Sequence, residues 1–409
     1  MKGNVDFTLV EEMLNKTKEE IEKMSPVNVM LVGKTGVGKS TLVNNVFRER
    51  LASTGIGKPI TKHLRKIEKE GIPIVLYDTR GLELSTEVQS DVRKEIFEAI
   101  HSNHKKGPEK AIHVIYYCIN ANSSRIEESE IDFINELSEL LPVIIVLTQS
   151  MGEPAETFRK YIEELNLKVM AVVTVMAEPY MISSEVTIAR KGLKQLIELT
   201  FEVLPEETKL AFNNAQQVDI QRKARAARSW ATRYIATTFG VGFTPIPFSD
   251  ATILVPMQIA MMAHITAIFG ISMDKTSVAS ILSAVGGTSG ATYVGRYLVS
   301  NLIKFIPGAG TIAGGIISGA TASVLTTALA MSYIEVLSFI AKGEGEGNYP
   351  DLKNIGDLMR ERLQVYLNQS KVASVGESKL AEDSLECVKE KEKTPLLQRI
   401  RDTFKKIKR

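Results

Sequence analysis

The chain has 409 residues, of which 44% are hydrophobic and 24% charged, and its formal net charge is +2. This composition predicts a globular chain of two or three domains, and the near-neutral balance argues against a general nucleic-acid binder. Cys118 and Cys387 are its two cysteines, which excludes a disulfide framework and makes a reducing compartment the default.

The N-terminus lacks an apolar signal-type segment, so no signal peptide is predicted. Phe7, Val10, Met13, Leu14 and Ile21 instead mark a short amphipathic helix within residues 1–24, expected to pack on the domain that follows.

That domain opens with an apolar strand, VNVMLV at Val27–Val32, and runs into Gly33-Lys34-Thr35-Gly36-Val37-Gly38-Lys39-Ser40, with Thr41 starting a helix. The octapeptide fits G-x-x-x-x-G-K-[ST], in which loop N–H groups face the α- and β-phosphates of a nucleotide. Lys39 is then expected to reach the β/γ oxygens and the Ser40 hydroxyl to bind Mg²⁺.

The next strand, IPIVLY at 72–77, ends in Asp78-Thr79-Arg80-Gly81. This D-x-x-G element is expected to sense Mg²⁺ through Asp78 and the γ-phosphate through the Gly81 N–H. Between the two motifs Thr61 is the candidate second Mg²⁺ contact, with Thr54 in the same loop as the alternative.

After the strand at 143–147, where guanine-binding proteins carry N/T-K-x-D, the chain reads Thr148-Gln149-Ser150-Met151. The base-reading carboxylate is missing, and Glu153 replaces it only if the loop shifts. A later S-A-K-like element is matched by Val175-Met176-Ala177-Glu178, with Ser183-Ser184 as a more distant possibility. Thr148, Gln149 and Ala177 are thus the candidate base contacts, and guanine specificity rests on the order of elements.

On these motifs residues 25–205 resemble an Era-like or septin-like P-loop GTPase, an α/β domain with a mostly parallel doubly wound sheet. The loop GKTGVGKS, Asn120, the segment 126–133 and the segment 192–196 carry the resemblance. It implies GTP and GDP as ligands, Mg²⁺ as cofactor, and Lys39, Thr61 and Gly81 as catalytic contributors.

Leu82 stands where Ras-like enzymes place a water-orienting glutamine, and Gly36 where potassium-dependent relatives place an asparagine. The resemblance therefore implies activation in trans by a G-domain homodimer or a partner, with Arg80 and Glu83 as the nearest candidates. A scaffold with negligible hydrolysis is the competing reading.

Charge is then redistributed. Residues 206–234 read as a basic linker helix, after which 235–342 form a Gly/Ala-rich all-α hydrophobic domain. Within it 23 consecutive residues after Asp250 and 30 after Lys304 lack Asp, Glu, Lys and Arg. About 20 apolar residues suffice to cross a bilayer. Pro256, Gln258, His264, Pro307 and the Gly310/Gly314 and Gly315/Gly319 pairs equally suit a packed soluble or conditionally inserting bundle. His264 reads as a satisfied core residue. Pro245-Ile246-Pro247-Phe248-Ser249-Asp250-Ala251 and Gln258 resemble the hydrophobic helical module found C-terminal to such GTPases in bacteria.

An Era-like RNA or ribosome-assembly role is the further alternative, but the G-x-x-G at 287–290 lacks a basic setting, which argues against RNA, and nothing points to DNA.

After a break at 343–347, residues 343–368 are expected to supply a docking helix. Residues 369–393 suit a disordered linker that carries Cys387. In 394–409, Leu396, Leu397, Ile400, Phe404 and Ile407 face six basic residues and one acid, Asp402. This basic amphipathic helix predicts contact with an anionic membrane surface. The localisation implied is cytoplasmic, peripheral or integral at the membrane's cytoplasmic face.

Overall fold

The computed structural model describes residues 8–80, 82, 86–241, 251–286 and 319–373. Expectations that fall on Gly81, Glu83, 245–250, 287–318 and 374–409 lie outside the described residues.

The first unit runs β1 (Val27–Val32), α2 (Lys39–Val46), α3 (Leu51–Thr54), β2 (Ile56–Pro59), β3 (Leu64–Lys69), β4 (Ile72–Thr79), α4 (Thr86–Lys105) and β5 (Val114–Asn120). It continues with α5 (Glu128–Leu140), β6 (Val143–Thr148), α6 (Gly152–Glu164), β7 (Ala171–Thr174), a small hairpin of β8 (Tyr180–Met181) and β9 (Thr187–Ile188), and α7 (Leu193–Val203). Before them stands α1 (Thr8–Glu22).

Strands β1 to β7 form one sheet in the order β2-β3-β4-β1-β5-β6-β7. The pairs β4–β1, β1–β5, β5–β6 and β6–β7 are parallel, and β2–β3 and β3–β4 are antiparallel. Every residue of β1 and β6 is buried, as a strand covered by helices on both faces requires.

Alternation divides β1 between two cores. Val27, Val29 and Leu31 join Leu42 and Val43 of α2, Ile197 of α7 and Phe212 on one face. Met30 and Val32 join Ile96 of α4, Phe133 of α5 and Phe158 of α6 on the other. Each such buried side chain contributes about 1.5–3 kcal/mol. The chain leaves β1 toward β4 and returns past it to β5, so the carboxyl end of β1 is the switch point where doubly wound sheets bind ligands.

The remaining described helices are α8 (Glu206–Ala215), α9 (Ile220–Val241), α10 (Ala251–Phe269), α11 (Lys275–Gly286), α12 (Gly319–Glu346) and α13 (Leu352–Ala373). From α9 onward they share an apolar core that includes Ala227, Ile259, Ile281, Leu329 and Met359. Its polar atoms are internally paired where Thr266 Oγ1 meets the Tyr333 hydroxyl at 2.6 Å.

Three sequence expectations are corrected. The segment 206–234 is no single linker helix, because the chain turns at Gln216, whose Oε1 accepts the N–H groups of Val218 and Asp219 at 2.8 and 2.7 Å. Phe212 of α8 then lies in the sheet core, while Ala227 of α9 lies in the helical core. The expected break at 343–347 is shifted, since α12 stays helical through Gly343 and Gly345 to Glu346, and the docking helix starts at Leu352 and ends past the expected boundary at Ala373. Helix α1 packs chiefly on the helical unit: Val10 and Met13 belong to its core, whereas Ile21 near its end and Met24 just beyond it reach the sheet core.

The two units meet across a polar joint. Lys223, 2% exposed, donates to Asn214 O at the end of α8 and to Phe269 O at the end of α10, at 3.0 and 2.5 Å. Burial pulls the Lys223 ammonium well below the usual lysine pKa. Arg48, just past α2, donates to Gly71 O and to Asn214 Oδ1 at 2.6 and 2.8 Å.

Candidate nucleotide site

Gly33 ends β1 with φ +148, and a Cβ there would stand 2.3 Å from Cys118 O of β5, so only glycine lets the loop leave the sheet here. The loop closes at Gly38, the left-handed N-cap of α2. Lys39 is buried and its ammonium donates to Gly33 O and Lys34 O at 2.6 and 3.0 Å, which curls the loop around its own lysine. Lys34 points outward to Glu127 and Glu130 at 2.9 and 3.0 Å and fastens the loop to the start of α5.

A cavity of about 430 Å³ opens over the α2 N-terminus, lined by Thr35, Gly36, Gly38, Lys39, Ser40, Thr41, Asp78, Thr79, Arg80 and Gln149. First-turn N–H groups and a lysine at a helix N-terminus suit an anion.

Asp78 faces them from the end of β4. Burial pushes its carboxyl above the usual range, against the pull of Lys39, Arg80 and Arg65, and its Oδ1 is buried without a hydrogen-bond partner. The strand end is fixed by Thr79 Oγ1, which donates to Leu31 O at 3.0 Å. A hydroxyl and an orphaned carboxylate oxygen beside a phosphate cradle fit Mg²⁺, which keeps several waters and takes few protein ligands. Ser40 and Asp78 would hold it.

Of the other expected contacts Gln149 lines the cavity, whereas Val37, Thr148, Ala177 and Thr61 stand outside the lining. Val37 packs in the sheet core, and its carbonyl accepts from Thr148 Oγ1, which also lies 3.1 Å from Ile119 O. Thr148 therefore ties β6 to the loop. Gln149, at φ 53, donates from Nε2 to Gly36 O at 3.3 Å and receives Asn120 Nδ2 on Oε1 at 3.3 Å. Met151 is the N-cap of α6, with no side-chain cap hydrogen bond.

Ala177 packs against the sheet core and does not line the cavity, whereas Glu178 beside it accepts from Asn45 Nδ2 at 3.0 Å. Thr61 also stands outside the lining, with its hydroxyl donated to Glu95 of α4. Leu82 is 7% exposed and sits in the core between the sheet and α4.

Sequence reasoning missed Lys34 and Glu95. The cluster of acids at Glu127, Glu128 and Glu130 carried a signal for the first, but no local pattern links Thr61 to Glu95.

Comparisons with known proteins agree with this geometry. Residues 28–149 match the family described as 50S ribosome-binding GTPase. The N-terminal unit is a P-loop GTPase domain. Residues 206–364 match a second family, described as a domain of unknown function, DUF697, so the GTPase domain is fused to a separate C-terminal domain. That match begins at α8, the helix whose Phe212 lies in the sheet core.

The GTPase domain is similar to Septin-9 of Rattus norvegicus, 24% identical over 177 residues, covering 36% of this chain and 31% of that protein. It is also similar to GTPase Der of Campylobacter concisus, 35% identical over 125 residues, covering 30% of this chain and 25% of that protein. The chain thus spans less than half of the length of the curated relatives it matches first.

Among solved structures, Era in complex with MgGDPNP and 16S ribosomal RNA is 24% identical with a TM-score of 0.31, over 45% of this chain and 58% of that one. A probable GTP-binding protein EngB is 17% identical with a TM-score of 0.30, over 43% and 98%.

Proposed function

We propose that the chain binds GTP with Mg²⁺ and hydrolyses it slowly by itself, as a switch or mechanoenzyme at a membrane surface. The observation that carries this reading is the convergence of Lys39, Ser40 and Asp78 on one cavity at the α2 N-terminus.

In the reaction water attacks the γ-phosphorus in line, the bond to the β,γ-bridging oxygen breaks, and GDP leaves with that electron pair. Lys39 and the loop N–H groups stabilise the charge that gathers on the β- and γ-oxygens. Bound Mg²⁺ supplies further neutralisation of the phosphates. Arg80, whose Nε lies 4.0 Å from Asp78 Oδ2, stands at the open side of the cavity.

The slow intrinsic rate follows from Leu82, which is buried and has no polar group to orient water. A second GTPase domain or another partner supplies the missing group. Single-turnover hydrolysis over a wide range of protein concentration tests this: specific activity is expected to rise with concentration in the wild type and to be absent in Lys39→Ala. A wild-type rate independent of concentration would contradict activation in trans.

Membrane association is assigned to the basic tail 394–409. One described stretch, Ser323–Gly345, is long and apolar enough to cross a bilayer, but 61% of its apolar window is buried against neighbouring helices. Deleting the tail is therefore expected to release the protein from anionic vesicles. Retention of the truncated protein through an alkaline carbonate wash would contradict that assignment.

A further inference from the structure

Thr61 sits in the turn between β2 and β3, shaped by Ile60 N and Thr61 N donating to Leu64 O at 2.8 and 3.2 Å and by Leu64 N donating to Thr61 Oγ1 at 3.0 Å. Three donors of this turn converge on one carboxylate, that of Glu95. Thr61 Oγ1 and His63 N (3.1 Å) meet Oε2, and His63 Nδ1 stands 3.2 Å from Oε1.

Glu95 lies well inside α4, a helix of 20 residues, so the carboxylate is offered from a rigid element. Burial pushes the Glu95 carboxyl up, but the hydrogen bonds from Thr61 and His63 outweigh it and hold the group below the usual range. The same turn reaches the nucleotide cavity from its other side, because His63 O accepts the Arg80 N–H at 2.9 Å. Arg80 and Asp78 line the cavity, and Thr61 does not.

We propose that Glu95 is a positioning residue that holds Thr61 away from the metal, so that the preference for GTP over GDP is set by exchange of Thr61 between Glu95 and the Mg²⁺·GTP site. The proposal rests on the reading of Thr61 as the second Mg²⁺ contact. A charge-assisted hydrogen bond is about twice as strong as a neutral one, so the carboxylate opposes Thr61's departure more than a neutral acceptor would. GDP does not need that departure.

The test compares equilibrium binding of a non-hydrolysable GTP analogue and of GDP, each across a Mg²⁺ titration, in wild type, Glu95→Gln, Glu95→Ala, Thr61→Ala and the Glu95→Gln/Thr61→Ala double variant. Weakening one contact of this size is expected to tighten the analogue about three- to tenfold in Glu95→Gln. GDP affinity should stay within about twofold, and the Mg²⁺ needed for half-maximal analogue binding should fall. The gain should vanish in the double variant. Should Glu95→Ala fail to fold, Glu95→Gln decides, with its GDP affinity as the measure of an intact domain.

If Thr61→Ala selectively weakens the analogue while Glu95→Gln shifts neither nucleotide, or both equally, the positioning role is wrong and the metal reading stands. Weaker analogue binding in Glu95→Gln also overturns the positioning role. If Thr61→Ala leaves analogue binding unchanged, the metal reading fails first and the proposal with it.

Discussion

Met151 shows how a single residue serves one purpose where another was expected. It stands at the N-cap of α6 without capping it, at the position where a guanine-reading carboxylate belongs. Met151→Asp should act twice. The new carboxylate can accept from first-turn N–H groups, worth about 0.5–2 kcal/mol of stability. It can also accept from guanine, which should widen the preference for GTP over ATP about ten- to a hundredfold. Competition binding reads the second effect and thermal unfolding the first; a variant with unchanged selectivity would place the base elsewhere. The phosphate loop was legible because its chemistry is local, with lysine, hydroxyl and glycines contiguous in 33–40. The contact between Thr61 and Glu95 was not, because the two residues lie 34 apart on different elements. Ala177 lies outside the lining of the cavity for a related reason: spacing finds the loop after a strand, but not how each side chain of that loop is placed.

At the scale of elements the two parallel-sheet faces were readable from apolar runs, while the joints between elements were not. Gly270 ends α10 at φ +66, and a Cβ there would lie 2.3 Å from Asn214 O, the same carbonyl that Lys223 caps. Gly270→Ala should therefore cost about 1–3 kcal/mol in chemical denaturation; an unchanged midpoint would mean that the joint is looser than described. The joint of α1, α9 and α10 makes a second prediction. His264, expected as a satisfied core residue, is only half satisfied: Nδ1 meets Glu20 Oε2 at 2.9 Å, whereas Nε2 is buried without a partner and the ring lies 4.1 Å from that of Trp230. Burial lowers its pKa and outweighs the opposite pull of Glu20, with Arg233 and Lys23 adding to the decrease. The unfolded chain takes up this proton near pH 6.5 and the folded chain only below that, so the associated stability is full above about 6.5 and is lost as pH falls through the folded value. Between pH of about 7.5 and about 5, His264→Gln should lose less of its melting temperature than wild type. Equal losses in the two proteins would remove His264 from the account.

For the whole molecule, the abrupt change in charge after residue 208 announced a second unit, and the match to a separate family from 206 onward agrees with it. What composition could not reveal is how closely the two units are joined. Arg48 follows directly on the helix that leaves the phosphate loop, and it touches the same Asn214 on which Lys223 closes the ends of α8 and α10. Joints of this kind depend on buried polar atoms meeting across long sequence distances, and hydrophobic periodicity is silent about them. The central claim concerns the cavity from which that path starts. Titration calorimetry of GTP with Mg²⁺ into wild type, Lys39→Ala and Ser40→Asn tests it most directly. The account predicts a single guanine-nucleotide site in the wild type that weakens at least about a hundredfold when Lys39 is lost, and that loses its dependence on Mg²⁺ in Ser40→Asn. Wild-type affinity retained in both variants would contradict it.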